Sequence, residues 1–78
     1  MDRQYGEARF KSCMVEDQAE GYVGYDLVCI RHGKDSCVAR ILFWDASGHF
    51  SVETLGSDVP LAILEELISE AKATIKTG

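Results

Sequence analysis

Hydrophobic and polar residues are distributed along the chain in a way that predicts four β-strands followed by one helix. Residues 8–15 and 50–54 alternate between the two kinds, which is the period of a half-buried strand. Residues 22–30 are rich in aromatic and β-branched side chains and predict a further strand. Residues 37–44 are apolar on both faces of an extended chain, interrupted only by Arg40. We expect this segment to be the central strand.

Polar segments that contain glycine separate these strands and predict turns. The turn at 45–48 begins with Asp45, which type I turns favour at their first position, and ends with Gly48, where the chain needs a positive φ. Residues 1–7 are polar without periodicity, so we expect a loose N-terminal arm there.

After Gly56 the hydrophobic period changes from two to 3.6 residues, which predicts a C-terminal helix. Ser57 and Asp58 are suitable caps, and Pro60 fits the first helical turn because its missing N–H costs little there. The predicted apolar stripe of the helix consists of Leu61, Leu64, Leu67, Ile68, Ala71 and Ile75.

These elements predict an α+β fold with the order β-β-β-β-α. Four strands form an antiparallel meander, and the single C-terminal helix packs on one face of the sheet. The whole chain, 1–78, is expected to be one domain, because 78 residues are too few for two.

The turn lengths suggest a register that leaves one sheet face without a helix. With Trp44 opposite Phe50 and Ile30 opposite Cys37, alternate residues of each strand fall on the same face. The predicted bed of the helix consists of Val23, Tyr25, Leu27, Cys29, Val38, Leu42, Trp44, Phe50 and Val52. The apolar centre of the open face is expected to be an interface formed by Val28, Ile30, Ile41 and Phe43. Its polar rim is expected to consist of Tyr22, Asp26, Asp45, His49 and Glu53.

Composition favours a partner subunit over other sources of stability. A domain of 78 residues has a core that supplies only about 3–5 kcal/mol. The cysteines Cys13, Cys29 and Cys37 are odd in number and lack zinc-ligand spacing, so neither a disulfide framework nor a metal is expected. No cofactor is expected either. A homodimer that uses the open face is the leading prediction, and an unidentified protein or small-molecule ligand stays open.

Charge and hydropathy limit the remaining partners. The net charge is −5 and the basic residues are scattered, so a nucleic acid is not expected. No apolar run approaches the length of about 18 residues that a membrane span needs. Without a signal-peptide pattern, and with free cysteines, we expect a cytoplasmic protein.

Candidate chemistry is sparse. His49 could be oriented by Asp45, Asp26 or Glu53 at a dimer cleft, as in a general base, which would make the chain a small enzyme. The simpler interpretation is a histidine that pairs with the aspartate of its own turn, and no residue is assigned a catalytic role. The cysteines are expected to act as small hydrophobic residues.

Two further interpretations stay open at this point. The acidic segment with Glu16, Asp17 and Glu20 could bind a basic macromolecule. Trp44 and Tyr25 could stack on a planar ligand, although in so small a domain they are expected to be core residues.

The stretch 42–48, continued by residues 52–55 and by Pro60 and Leu61, resembles small uncharacterised bacterial proteins, some of them carried on mobile integron gene cassettes. The resemblance covers about half the chain, as a hairpin followed by a capped helix. It implies a bacterial cytoplasmic protein and no particular activity or site. The leading functional prediction is therefore a small non-catalytic interaction protein that acts as a homodimer.

Overall fold

A computed structural model describes residues 1–75 and shows a five-stranded antiparallel sheet with one helix on one face. The last three residues of the predicted domain lie outside the described residues. The sheet is a meander in which neighbours in sequence are neighbours in space. Its elements are β1 Asp2–Tyr5, β2 Ala8–Asp17, β3 Tyr22–Arg31, β4 Lys34–Trp44, β5 His49–Thr54 and α1 Leu61–Thr74.

The α+β class, the antiparallel sheet and the C-terminal helix are confirmed, but the predicted number of strands is wrong. Residues 2–5, expected to be part of a loose arm, form β1. They turn back on β2 through a two-residue loop in which Gly6 has φ 61° and Tyr5 pairs with Ala8. An ion pair between Asp2 and Arg9 joins the same two strands. Because β1 is polar and short, its own pattern carries no periodic signal, and only the pairing with β2 makes it a strand.

Two four-residue loops at one end of the sheet have the same geometry. The β2–β3 loop ends in Gly21 at φ 82°, and the β4–β5 loop ends in Gly48 at φ 69°. The N–H of Gly48 donates to the carbonyl of Trp44 at 2.8 Å, and the N–H of Asp45 donates to the carbonyl of Gly21 at 2.9 Å. The predicted positive φ at Gly48 is confirmed, and the second hydrogen bond ties the two loops together.

At the other end, β3 and β4 are joined by a tighter turn than expected. His32 and Gly33, with φ 51° and 74°, form a two-residue loop of the type I′ kind, and Arg31 pairs with Lys34. The register then shifts beside Val28, where Val38 is an extra residue in β4. The expected pairing of Ile30 with Cys37 would leave residues 31–36 as one longer polar turn without a bulge, so the bulge is not predicted by the pattern.

The turn and the bulge make the predicted register of β4 wrong by one residue. Trp44 lies opposite Tyr22 and His49, and Ile41 lies opposite Tyr25 and Val52. A slip of one residue exchanges the two faces of a strand. Accordingly Ile41 and its neighbours at alternate positions lie under the helix, while Leu42 and Trp44, expected there, lie on the opposite face.

The helix buries a stripe that differs from the predicted one at its start. Its buried residues are Ile63, Leu67 and Ala71, whereas Leu61, expected in the stripe, is 70% exposed. Pro60 is the N-cap residue and its carbonyl accepts from Ile63 and Leu64 at 3.0 Å. No side chain of the described residues caps the helix, so Ser57 and Asp58 do not have the predicted role.

Polar contacts fix the side of the helix that faces β1. Glu70 accepts hydrogen bonds from the α-amino group of Met1 at 2.7 Å and from the hydroxyl of Ser12 at 2.6 Å. Glu66 pairs with Arg3 at 2.8 Å. Burial acts to raise the pKa of Glu70, but these two hydrogen bonds outweigh burial and hold that pKa below its ordinary value.

The core lies between the helix and the middle of the sheet. It is formed by buried side chains of β2, β3, β4 and α1, and the helix packs chiefly against β3 and β4. A helix is about 10 Å wide with its side chains, and strands are about 4.8 Å apart, so one helix covers about two strands. The outer strands therefore extend beyond the area that the helix covers.

Candidate functional site

The predicted interface residues are divided between the two faces of the sheet. Val28 and Ile30 lie half-buried on the open face, which is the face opposite the helix. Ile41 and Phe43 are 1% and 7% exposed and belong to the core under the helix. The one-residue difference in β4 is the cause, and these two residues are corrected to core positions.

Most of the predicted polar rim lies on the open face, but it does not form a cluster. Tyr22 and His49 are in the row of Trp44, whereas Asp26 and Glu53 flank Arg40, four residues further along the strands. Four residues of strand correspond to about 13 Å. The expected closeness of His49 to Asp26 is therefore absent among the described residues. The remaining rim residue, Asp45, is exposed in the β4–β5 loop, next to Trp44.

Asp26 is engaged by a cation from the neighbouring strand. The Nε of Arg40 donates to the carboxylate of Asp26 at 2.6 Å, and the Arg40 side chain is 33% exposed. This hydrogen bond and the charge of Asp26 raise the pKa of Arg40 above its ordinary value. A carboxylate that already binds a guanidinium of its own chain is not free to orient an imidazole.

The apolar residues of the open face are packed against one another. The rings of Tyr22 and Trp44 meet edge to face with 5.2 Å between their centroids, and the indole N–H of Trp44 donates to the Ser51 hydroxyl at 3.0 Å. Leu42 lies opposite Gly24 and is only 5% exposed although no helix covers it. This face thus leaves less apolar surface to a partner than the sequence predicted.

Strongly exposed hydrophobic residues lie instead on the helix side of the sheet. Met14 of β2 and Tyr5 of β1 are 62% and 51% exposed, and at the other edge Val52 of β5 is 44% exposed. Leu61, at the start of the helix, is 70% exposed, and Leu55, which follows β5, is 39% exposed. Because the acidic side of the helix faces β1, the opposite side, with Leu61, Leu64 and Ile68, faces β5. We call this surface the β5 flank, and it consists of Phe50, Val52, Leu61, Leu64 and Ile68.

The β5 flank adjoins an edge of the sheet that nothing in the described chain covers. β5 is the last strand of the sheet and pairs only with β4. Its sequence, residues 49–54, contains neither lysine nor proline, two residues that protect many natural edges. The other edge, β1, has an ion pair and the charged Arg3. The two edges of the sheet are thus protected to different degrees.

The alternation of residues in β5 predicts Phe50 and Val52 on the helix side of the sheet, where the structure also has them. This alternation does not reveal that Val52 stays exposed there. The width of one helix compared with the width of the sheet was a signal that could have revealed this exposure.

A pocket of about 280 Å³ lies on the helix side, near the β3–β4 turn. Polar residues on its wall include Arg31, Asp58 and Tyr5, and apolar residues include Phe10 and Val38. None of His49, Asp45, Asp26 and Glu53 lines it. The pocket and the candidate acid–base residues are therefore separate within the single chain.

The Cys37 thiol is not activated. Cys29 lies on the helix side and Cys37 on the open face, as predicted. Burial, together with the nearby charge of Asp26, raises the pKa of the Cys37 thiol. A raised thiol pKa favours the unreactive protonated form.

Two other interpretations of single residues are affected by the structure. Asp17, in the acidic segment, accepts a hydrogen bond from the backbone N–H of Glu20 at 3.0 Å and so supports its own turn. Tyr25 is a core residue whose hydroxyl lies 2.8 Å from that of Thr74. Trp44 and Tyr25 fall on opposite faces of the sheet, so they cannot stack on one ligand.

Comparison with protein-family models, curated proteins and solved structures found no match to the chain. Among residues 1–75, no three histidine, cysteine, aspartate or glutamate side chains are grouped as metal ligands would be. In the same part of the chain, the helix is too short and too polar to cross a bilayer.

Proposed function

We propose that the chain is a small non-catalytic interaction protein that acts as a homodimer. The observation that carries the proposal is the β5 flank, where exposed hydrophobic residues lie beside an uncovered strand edge. Apolar surface next to unpaired peptide groups is a favourable site for a protein partner. The sequence pattern placed the dimer contact on the open face, and the exposure of side chains favours the β5 flank in its place.

Chain size supports a second copy as the partner. A core supplied by 78 residues contributes only a few kcal/mol of net stability, and association adds to it by mass action. Val52 and Leu61 of this flank are each more than a third exposed in the single chain. Burying them against the same residues of another copy would remove apolar area from water on both sides of the contact.

An enzymatic function has weaker support. The one histidine considered for it, His49, is exposed, and the carboxylate of Asp26 is held by Arg40. The pocket lies away from both residues.

Sedimentation velocity tests the proposal, with protein concentrations from about 1 to about 100 µM, which brackets the affinity of a weak to moderate dimer. We expect a mass of twice 8.6 kDa at the upper end. Val52→Lys should shift the protein towards monomer, because it places an ammonium group in the contact. A single species of 8.6 kDa at every concentration would overturn the proposal.

Met14→Lys is the matched control. Met14 is 62% exposed and also lies on the helix side, but it belongs to β2 and is separated from β5 by two strands. The same change of a hydrophobic residue to lysine should therefore leave association unchanged. Equal effects of the two variants would place the contact outside the β5 flank.

A further inference from the structure

The sequence of β5 is complementary to itself when two copies run antiparallel. We propose that the homodimer forms by pairing of β5 with β5 of a second copy, about a two-fold axis at Ser51, to give one continuous ten-stranded sheet. This inference rests on the proposed homodimer and specifies how its two subunits meet.

The unpaired edge of β5 provides the backbone part of the contact. Alternate residues of an edge strand direct their peptide N–H and C=O groups away from the sheet. In the described residues these groups of β5 have no strand beside them. A second β5 supplies matching donors and acceptors, because an antiparallel pair of identical strands is isologous.

Three registers near the middle of β5 place residues of the same sheet face opposite one another, and they are centred on Phe50, Ser51 and Val52. The side chains favour the register centred on Ser51. With Ser51 opposite Ser51 of the partner copy, Phe50 lies opposite Val52 and His49 lies opposite Glu53, each twice. The first contact joins two apolar residues on the helix side. The second joins an imidazole, which can donate a hydrogen bond, to a carboxylate on the open face.

The other two registers are less complementary. A register centred on Phe50 places Phe50 opposite its own copy but Val52 opposite Gly48 and His49 opposite Ser51, so the pairing of histidine with a carboxylate is lost. A register centred on Val52 places Val52 opposite its own copy but Phe50 opposite Thr54 and His49 opposite Leu55. Only the register centred on Ser51 matches apolar with apolar and histidine with carboxylate.

This pairing also accounts for the β5 flank. A two-fold axis perpendicular to the sheet at Ser51 keeps both helices on the same side of the ten-stranded sheet. Phe50 and Val52 lie on that side of β5, at the boundary between the two subunits. The exposed apolar residues of one copy then continue into those of the other.

Charge changes at positions 49 and 53 test the register by sedimentation. His49→Glu places a second carboxylate opposite Glu53 of the partner copy at two sites and should raise the dimer dissociation constant about tenfold. His49→Glu combined with Glu53→Lys restores an acid–base pair and should return the constant to near the parent value. Positions 49 and 53 are about 13 Å apart within one strand, so the rescue requires contact between copies.

Cysteine cross-linking gives an independent measurement on the same dimer. Residues directly opposite in antiparallel strands have Cα atoms about 4.5–5.5 Å apart, within the range of a disulfide. Oxidation should therefore link Ser51→Cys into a covalent dimer beyond the background of the parent chain. Glu53→Cys should not link, because its own copy in the partner lies four residues away in this register.

The outcomes separate the two proposals. A parent chain that stays monomeric overturns the homodimer and with it the pairing of β5. A parent chain that dimerises, but whose dimer is not weakened by His49→Glu or not rescued by the double variant, overturns the pairing alone. Cross-linking at position 53 instead of position 51 also overturns the register.

Discussion

Gly24 of β3 lies so close to Ile41 of β4 that a side chain cannot be accommodated at position 24. A Cβ built on Gly24 would be 1.9 Å from the carbonyl oxygen of Ile41 and 2.9 Å from the Cα of Leu42. Both neighbours are backbone atoms and cannot rotate away. The absence of a side chain also makes room for Leu42, which is therefore buried on the open face.

Gly24→Ala should accordingly be strongly destabilising. We expect the free energy of unfolding to fall by about 3 kcal/mol or more, because the backbones of β3 and β4 have to separate. Urea denaturation followed by the fluorescence of Trp44 measures this change. Gly6→Ala is the control, since Gly6 has φ 61° but no atom near its Cβ position, and strain alone should cost about 1 kcal/mol. Equal losses in the two variants would contradict the close approach of the strands.

The position of Ile41 under the helix leads to a second prediction. Ile41→Ala should lower the free energy of unfolding by about 2–5 kcal/mol, because it leaves a cavity in the core. Met14→Ala, at a residue that is 62% exposed, should change it by less than about 0.5 kcal/mol. Denaturation at one fixed protein concentration compares the two. If Ile41→Ala dissociated a dimer and left the fold stable, Ile41 would be at an interface, as the sequence pattern suggested.

A third prediction concerns stability in acid and depends on Glu70. The pKa of Glu70 is lower in the folded chain than its ordinary value of 4.5. Its hydrogen bonds with Met1 and Ser12 therefore contribute fully above pH 4.5, and the contribution is lost as pH falls through the lowered pKa. Glu70→Gln should lower the free energy of unfolding by about 1–2 kcal/mol at neutral pH and weaken its dependence on pH below 4.5.

The control for Glu70 is Glu66→Gln on the same side of the helix. Glu66 pairs with Arg3, but both side chains are exposed, at 37% and 58%, and exposed ion pairs contribute little. This variant should keep both the stability and the acid dependence of the parent chain. Chemical denaturation between pH 3 and pH 7, about the range over which carboxyl groups of ordinary and lowered pKa titrate, measures both variants. If the free energy of unfolding of Glu70→Gln depended on pH below 4.5 as strongly as that of the parent chain, Glu70 would not be the source of this dependence.

Local patterns were sufficient for most of the elements. The alternation in β3 assigned Tyr25 and Leu27 to the helix side, and the alternation in β5 assigned Phe50 to the same side, as the structure has them. The change of period after Gly56 located the helix, although the buried stripe of the helix begins at Ile63 and not at Leu61. In each case the signal is contained in one segment, because the amphipathic pattern of an element reflects its own burial.

β4 shows where such patterns stop being informative. Its residues 37–44 are apolar on both faces, so neither face is marked as the buried one. The choice was made by the two-residue turn at His32 and by the bulge at Val38, which together shift β4 by one residue. That shift moved Phe43 into the core and Trp44 to the open face.

The amino-acid pattern is sufficient to predict the α+β class, the order of β2 to β5, the helix and the glycine turn at Gly48. The strand β1, the register of β4 and the exposure of Val52 at the β5 edge emerge only when the elements pair and pack. Features of the first set follow from contacts within a segment or across one turn. The second set depends on pairing between strands and on how far one helix can reach across a five-stranded sheet.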